Sequence, residues 1–172
     1  MAEAGGPTMG IDPDRGGPAP IGGSKTVPVG STQQVGIHLT DRAGITYQSY
    51  QVRVEWDAQK LDLVPPGSWA SANTWPAPGG SGVTCAGPTL TPNPQDNSGT
   101  NRVLGGCADN VNATSSFTGE VAFLQFRCQS AGPALLHLVV TPSGTAVDTF
   151  IVDGAYAGHG PGTVIDATIQ CQ

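Results

Sequence analysis

The chain has 172 residues, is 38% apolar and 12% charged, contains 25 Gly and 15 Pro, and carries a formal net charge of −6. Its seven basic residues are spread thinly, which excludes a phosphate-tracking surface and leaves no expectation of nucleic acid as a partner. No run of 18 apolar residues exists, so no helical membrane insertion is expected, and no 12-residue window has the spacing of a long amphipathic helix.

The opening stretch MAEAGGPT lacks a basic start and an apolar run, so no signal peptide is expected in this form. Residues 1–7 read as an arm and 8–12 as a short strand stopped by Pro13. An arm this rich in Gly needs something to pack against, either its own domain or a neighbouring copy. Added as a strand to a neighbour, with Met9 and Ile11 as contacts, it would satisfy an open sheet edge, and repetition would build a filament.

Strands follow at 25–29 and at 33–40, where Val35, Ile37 and Leu39 alternate with smaller or polar residues. The longest alternation is 47–56, with Tyr50, Val52, Val54 and Trp56 on one face and Gln51, Arg53 and Glu55 on the other. Four residues, Asp57-Ala58-Gln59-Lys60, interrupt it before Leu61, Leu63 and Val64. Asp57 is suited to accept a backbone N–H a few residues on, so that 57–60 make one turn and Leu61 drops back into the core beside Trp56. The break reads as a corner between two strands, since Asp-Ala-Gln-Lys lacks the Gly or Asn of a tight hairpin.

Residues 65–101 read as irregular and much longer than an ordinary connection, and 65–116 as a disulfide-pinned loop insertion. Trp69 and Trp75 lie there, six residues apart. They are candidates to stack on sugar rings or to anchor an interface, or else they fold back over a sheet edge. Asn112-Ala113-Thr114 is a candidate glycosylation site. Further strands are expected at 102–108, 120–129, 134–141, 150–153 and 163–171. Nine or ten short strands separated by turn residues predict a single all-β domain, an antiparallel β-sandwich.

Cys85, Cys107, Cys128 and Cys171 have neither CxxC spacing nor a nearby His, which disfavours zinc and thioredoxin-like chemistry. Two disulfides in an exported protein fit better than four buried thiols in a cytosolic one. Of the three pairings, 85–107 is favoured because both flank the long loop, and 128–171 because both end strands.

The stretch from Trp56 to Val64, preceded by VPVGSTQQVGIHLT and followed by FTGEVAFLQFRCQSAGPALLHLVV, resembles cohesin modules and the related carbohydrate-binding sandwiches. The resemblance covers roughly 8–64 and 117–171. It implies a jelly-roll, cohesin-like sandwich that acts by protein–protein contact through a sheet face, with a dockerin-type partner.

Chemistry has few candidates. His38 and His137 fall within strands, and His159, in AYAGHGPG, is the histidine with freedom to act. No GxSxG turn exists, and no acid pair stands out. No cofactor is expected, although Asp12 and Asp14 resemble a calcium-binding edge. The expected function is therefore a non-catalytic, extracellular or cell-surface interaction module that self-associates or binds a dockerin. A polysaccharide-binding module using Trp69 and Trp75 is the alternative.

Overall fold

The computed structural model describes residues 5–64, 83–92, 100–109, 114–140 and 148–172. In chain order the strands are β1 (Thr8–Asp12), β2 (Ser24–Val27), β3 (Thr32–Asp41), β4 (Tyr47–Asp57), β5 (Leu61–Leu63), β6 (Val83–Pro92) and β7 (Thr100–Asp109). They continue as β8 (Gly119–Cys128), β9 (Gly132–Leu138), β10 (Phe150–Asp153), β11 (Gly158–His159), β12 (Thr163–Ile165) and β13 (Ala167–Cys171). A five-stranded sheet runs β12-β1-β3-β8-β5, and an eight-stranded sheet runs β11-β10-β4-β9-β13-β2 with β7 and β6 joined beside β4.

Period-two alternation builds the core between these sheets. Val52, Val54 and Trp56 of β4 and Leu136 and Leu138 of β9 point inward from the larger sheet, and Ile37, Leu39, Leu124 and Phe126 point inward from the smaller one. The Trp56 and Phe126 rings meet edge-on at 5.0 Å, an arrangement that suits their quadrupoles. The Tyr50 hydroxyl, deep in this layer, is partnered: it lies 2.5 Å from the Val121 carbonyl and 3.2 Å from Cys107 Sγ. Burial pushes the Tyr50 phenol well above its ordinary titration range.

The chain turns from one sheet to the other at Trp56. Asp57 Oδ1 accepts the Gln59 N–H at 2.8 Å, and the Lys60 N–H returns to the Asp57 carbonyl at 3.1 Å. Leu61 is then fully buried, and its carbonyl accepts the Trp56 indole N–H at 3.1 Å. A second crossing lies at Asp166, where β12, beside β1 in the smaller sheet, gives way to β13, beside β9 in the larger. The β1–β12 and β13–β2 pairs are parallel; the other pairings between these strands are antiparallel.

Two findings correct the sequence reading. Residues 83–92 form a strand instead of irregular chain, paired with β7 so that Cys85 faces Cys107 in the backbone register. Gly and Pro in AGPTLTP hid its period, and the pairing slips between Ala86 and Thr89. Met9 and Ile11 are not surface contacts: both are fully buried in their own sandwich, because β1 pairs with β3 on one side and β12 on the other. The Cys128–Cys171 disulfide joins β8 of one sheet to β13 of the other across a sequence separation of 43, and Cys107 is also disulfide-bonded.

Candidate functional site

A sandwich offers two outer faces, and here they differ. The outer face of the smaller sheet is crossed by residues 13–22. Arg15 in that segment lays its guanidinium 3.9 Å over the Phe123 ring and bonds both Glu120 carboxylate oxygens at 2.9 Å. Its backbone N–H donates to the Gln34 carbonyl at 3.2 Å, and its Nη1 to Gln34 Oε1 at 3.1 Å. Asp14 receives Lys25 Nζ at 2.9–3.0 Å and the Gln33 amide at 3.3 Å. The Lys25 contact is the main reason its carboxyl stays below the usual range. Asp12 Oδ1 accepts the Asp14 N–H at 2.8 Å. The IDPD carboxylates therefore serve a turn and an ion pair. Among the described residues no group of three His, Cys, Asp or Glu is placed to hold a metal.

The outer face of the larger sheet carries Gln51, Arg53 and Glu55 from β4 and Pro133, Leu135 and His137 from β9. Leu135 is 54% exposed, although its strand neighbours Ala134 and Leu136 are buried. His137 stands opposite Glu55 in the register, and its Nδ1 lies 2.6 Å from Asp166 Oδ2. Asp166 Oδ1 also accepts the Leu138 N–H at 2.9 Å, so the crossing between sheets sets the orientation of this histidine. Arg53 pairs with the buried Asp148 at 2.9 Å, and Gln51 donates to the Asp148 carbonyl at 2.8 Å. These bonds hold the middle of the face rigid where β4 passes from β10 to β9.

At the far edge, Asp153 accepts the Ala155 and Ala157 N–H groups and lies 2.8 Å from His159 Nε2. The His159 bond is the largest cause holding the Asp153 carboxyl below its ordinary range. The histidine expected to have freedom in the glycine loop is thus tied to the loop's own acid. Tyr156, 68% exposed with φ +65°, sits at the tip. Trp69, Trp75 and Asn112 lie outside the described residues. Sequence reasoning missed Leu135, Asp166 and Arg15. Leu135 is indistinguishable from its core neighbours in ALLHL, and the partners of the other two stand 29 and 105 residues away.

The sequence matches no protein-family model and no curated protein. Solved structures do match the fold. The chain aligns over 97% of its length with 99% of a chain from a type II cohesin–X-dockerin complex of Acetivibrio cellulolyticus, at a TM-score of 0.63 and 15% identity. It aligns over its whole length with 96% of a chain from a type I cohesin–dockerin complex of Clostridium thermocellum, at 0.62 and 10% identity. Over 96% of its length it matches 98% of the cohesin module from a family 33 glycoside hydrolase of Clostridium perfringens, at 0.60 and 12% identity. Two sheets of this topology, with β1 parallel to β12 in one and β2 parallel to β13 in the other, give the chain a cohesin-like β-sandwich fold.

Proposed function

We propose that the chain is a non-catalytic protein-binding module that works outside the cell and docks its partner on the outer face of the larger sheet. The observation that carries this reading is Leu135, an exposed apolar side chain on a strand fixed by core packing on its inner side. A rigid face loses little conformational entropy on binding, and a single apolar anchor ringed by polar groups is a common hot-spot arrangement. Glu55, His137 and Asp166 supply the polar surround, and the other sheet's outer face is already crossed by residues 13–22. A buried disulfide supports an oxidising compartment. Dockerin-type modules are the partner class suggested by the complexes in which similar folds were crystallised.

Titration calorimetry against a panel of dockerin modules tests the reading. Leu135→Glu is expected to leave unfolding stability within about 0.5 kcal/mol and to weaken binding roughly tenfold or more. Absence of binding across the panel, or binding that Leu135→Glu leaves unchanged, overturns it.

The same face would serve a structural subunit of an extracellular assembly or filament, because an exposed leucine on a rigid sheet suits a second copy equally. Sedimentation at high concentration then reports association that Leu135→Glu abolishes. Strand donation by β1 is the weaker route, since Met9 and Ile11 already fill their own core.

A further inference from the structure

The segment 13–22 is a strap. It leaves the smaller sheet after β1, crosses the outer face of that sheet and returns beside Ile11, whose carbonyl accepts the Gly22 N–H at 2.8 Å. Gly10 makes the close approach possible: a Cβ there would stand 2.5 Å from Ile21 Cγ2. Arg15 anchors the crossing on Glu120, Gln34 and the Phe123 ring.

His38 lies in the same layer. Its Nε2 is buried without a hydrogen-bond partner and stands 4.0 Å from both Asp12 Oδ2 and Glu120 Oε2. The ring leans over Gly36, where a Cβ would come within 2.9 Å of both His38 Nε2 and Glu120 Oε2. The charged groups acting on it are Asp12 from β1, Glu120 from β8 and Arg15 from the strap, with Asp14 and Lys25 neutralising one another further along.

We infer that the strap is an acid-sensitive latch: it holds its closed position over the smaller sheet while His38 is neutral, and protonation of His38 favours its release. The sign follows from what moves. Lifting the strap carries away a cation, Arg15, and opens the layer to water, and both changes favour the imidazolium. Asp12 belongs to β1 and Glu120 to β8, so both carboxylates stay with the sheet. Glu120, freed of its guanidinium, then attracts the imidazolium more strongly. The open state binds the proton better, and by linkage acid populates the open state. In the closed state desolvation is the largest effect on His38 and lowers its titration below the ordinary 6.5, outweighing the two carboxylates. Release would uncover Phe123, Gly36 and His38 together. The latch does not depend on the docking reading, which concerns the other sheet.

Amide hydrogen exchange on the intact chain at pH 7.5 and 5.0, corrected for intrinsic rates, tests it. Exposed carboxylates remain mostly ionised over this range. The Arg15 and Gly22 amides, bonded to Gln34 and Ile11, report the strap, and those of Val52 and Val54 report global unfolding. For a His38 that titrates near its ordinary 6.5 once open, strap protection is expected to fall at pH 5.0, by at most about thirtyfold. Core amides should stay better protected than the strap at both pH values, although the unfolded chain takes up the same proton and core protection declines by no more than the same factor; His38→Gln should remove the pH dependence of the strap. Should His38→Gln fold poorly, an NMR titration of His38 replaces it: Arg15→Gln is expected to raise the midpoint relative to the unmodified chain. Strap protection that ignores pH, a difference that survives His38→Gln, strap amides no less protected than the core, or a midpoint indifferent to Arg15→Gln overturns the latch.

Discussion

Trp56 concentrates several roles in one side chain. It is the last inward-facing residue of β4, meets Phe126 edge-on and donates its indole N–H to the carbonyl of Leu61, five residues on. Trp56→Phe keeps most of the apolar volume and removes the donor, leaving a buried carbonyl unpaired at a cost of about 1–3 kcal/mol. Urea unfolding is expected to show that loss in the midpoint with an unchanged slope. His38 makes a second prediction at this scale. Its titration is lowered in the folded chain, chiefly by desolvation, from an ordinary value of 6.5. The unfolded chain therefore takes up the proton first as pH falls. The stability His38 contributes is full above pH 6.5 and is lost as pH drops through the lower folded value. The melting temperature should decline between pH 7.5 and 5.0, and His38→Gln should flatten that decline. The Trp56–Leu61 break was readable because a local turn and alternating burial leave a local pattern. The environment of His38 was not, because Asp12 and Glu120 reach it from two other strands.

Elements are stapled as well as packed. Cys128 closes β8 and Cys171 closes β13, and each is at most 2% exposed. The bond spans the sandwich near the corner, with Cys171 Sγ 3.9 Å from the Lys60 carbonyl. Replacing both cysteines by Ala is expected to cost about 2–4 kcal/mol, measured by denaturant unfolding, because a loop of this length no longer restricts the unfolded chain. Burial should also keep the bond resistant to reductant until the protein unfolds. At this scale the sequence supported strands such as β3, β4 and β8; burial alternates along β4 from Gln48 onward, whereas in β8 Val121 and Ala122 are both buried where the pairing with β3 slips. It did not support β6, where Gly and Pro interrupt the period, nor the division of the last extended stretch into β12 and β13 at Asp166. Strand pairing with distant partners decided both.

The whole molecule presents two unlike faces. One is crossed by a strap whose ionic contacts join residues as far apart as Arg15 and Glu120; the other displays Leu135 beside His137 and Asp166. Composition and period alone determined that this chain is all-β, that its strands are short and that one face of each enters a core, because those properties follow from side-chain alternation and turn chemistry within a few residues. The tertiary structure decided that the strap crosses one outer face and that Leu135 is exposed on the other, which acid stands beside each histidine, and that β1 fills its own sheet instead of a neighbour's. Each of those outcomes depends on groups separated by tens of residues, and only the closing of two sheets brings such groups within hydrogen-bonding distance.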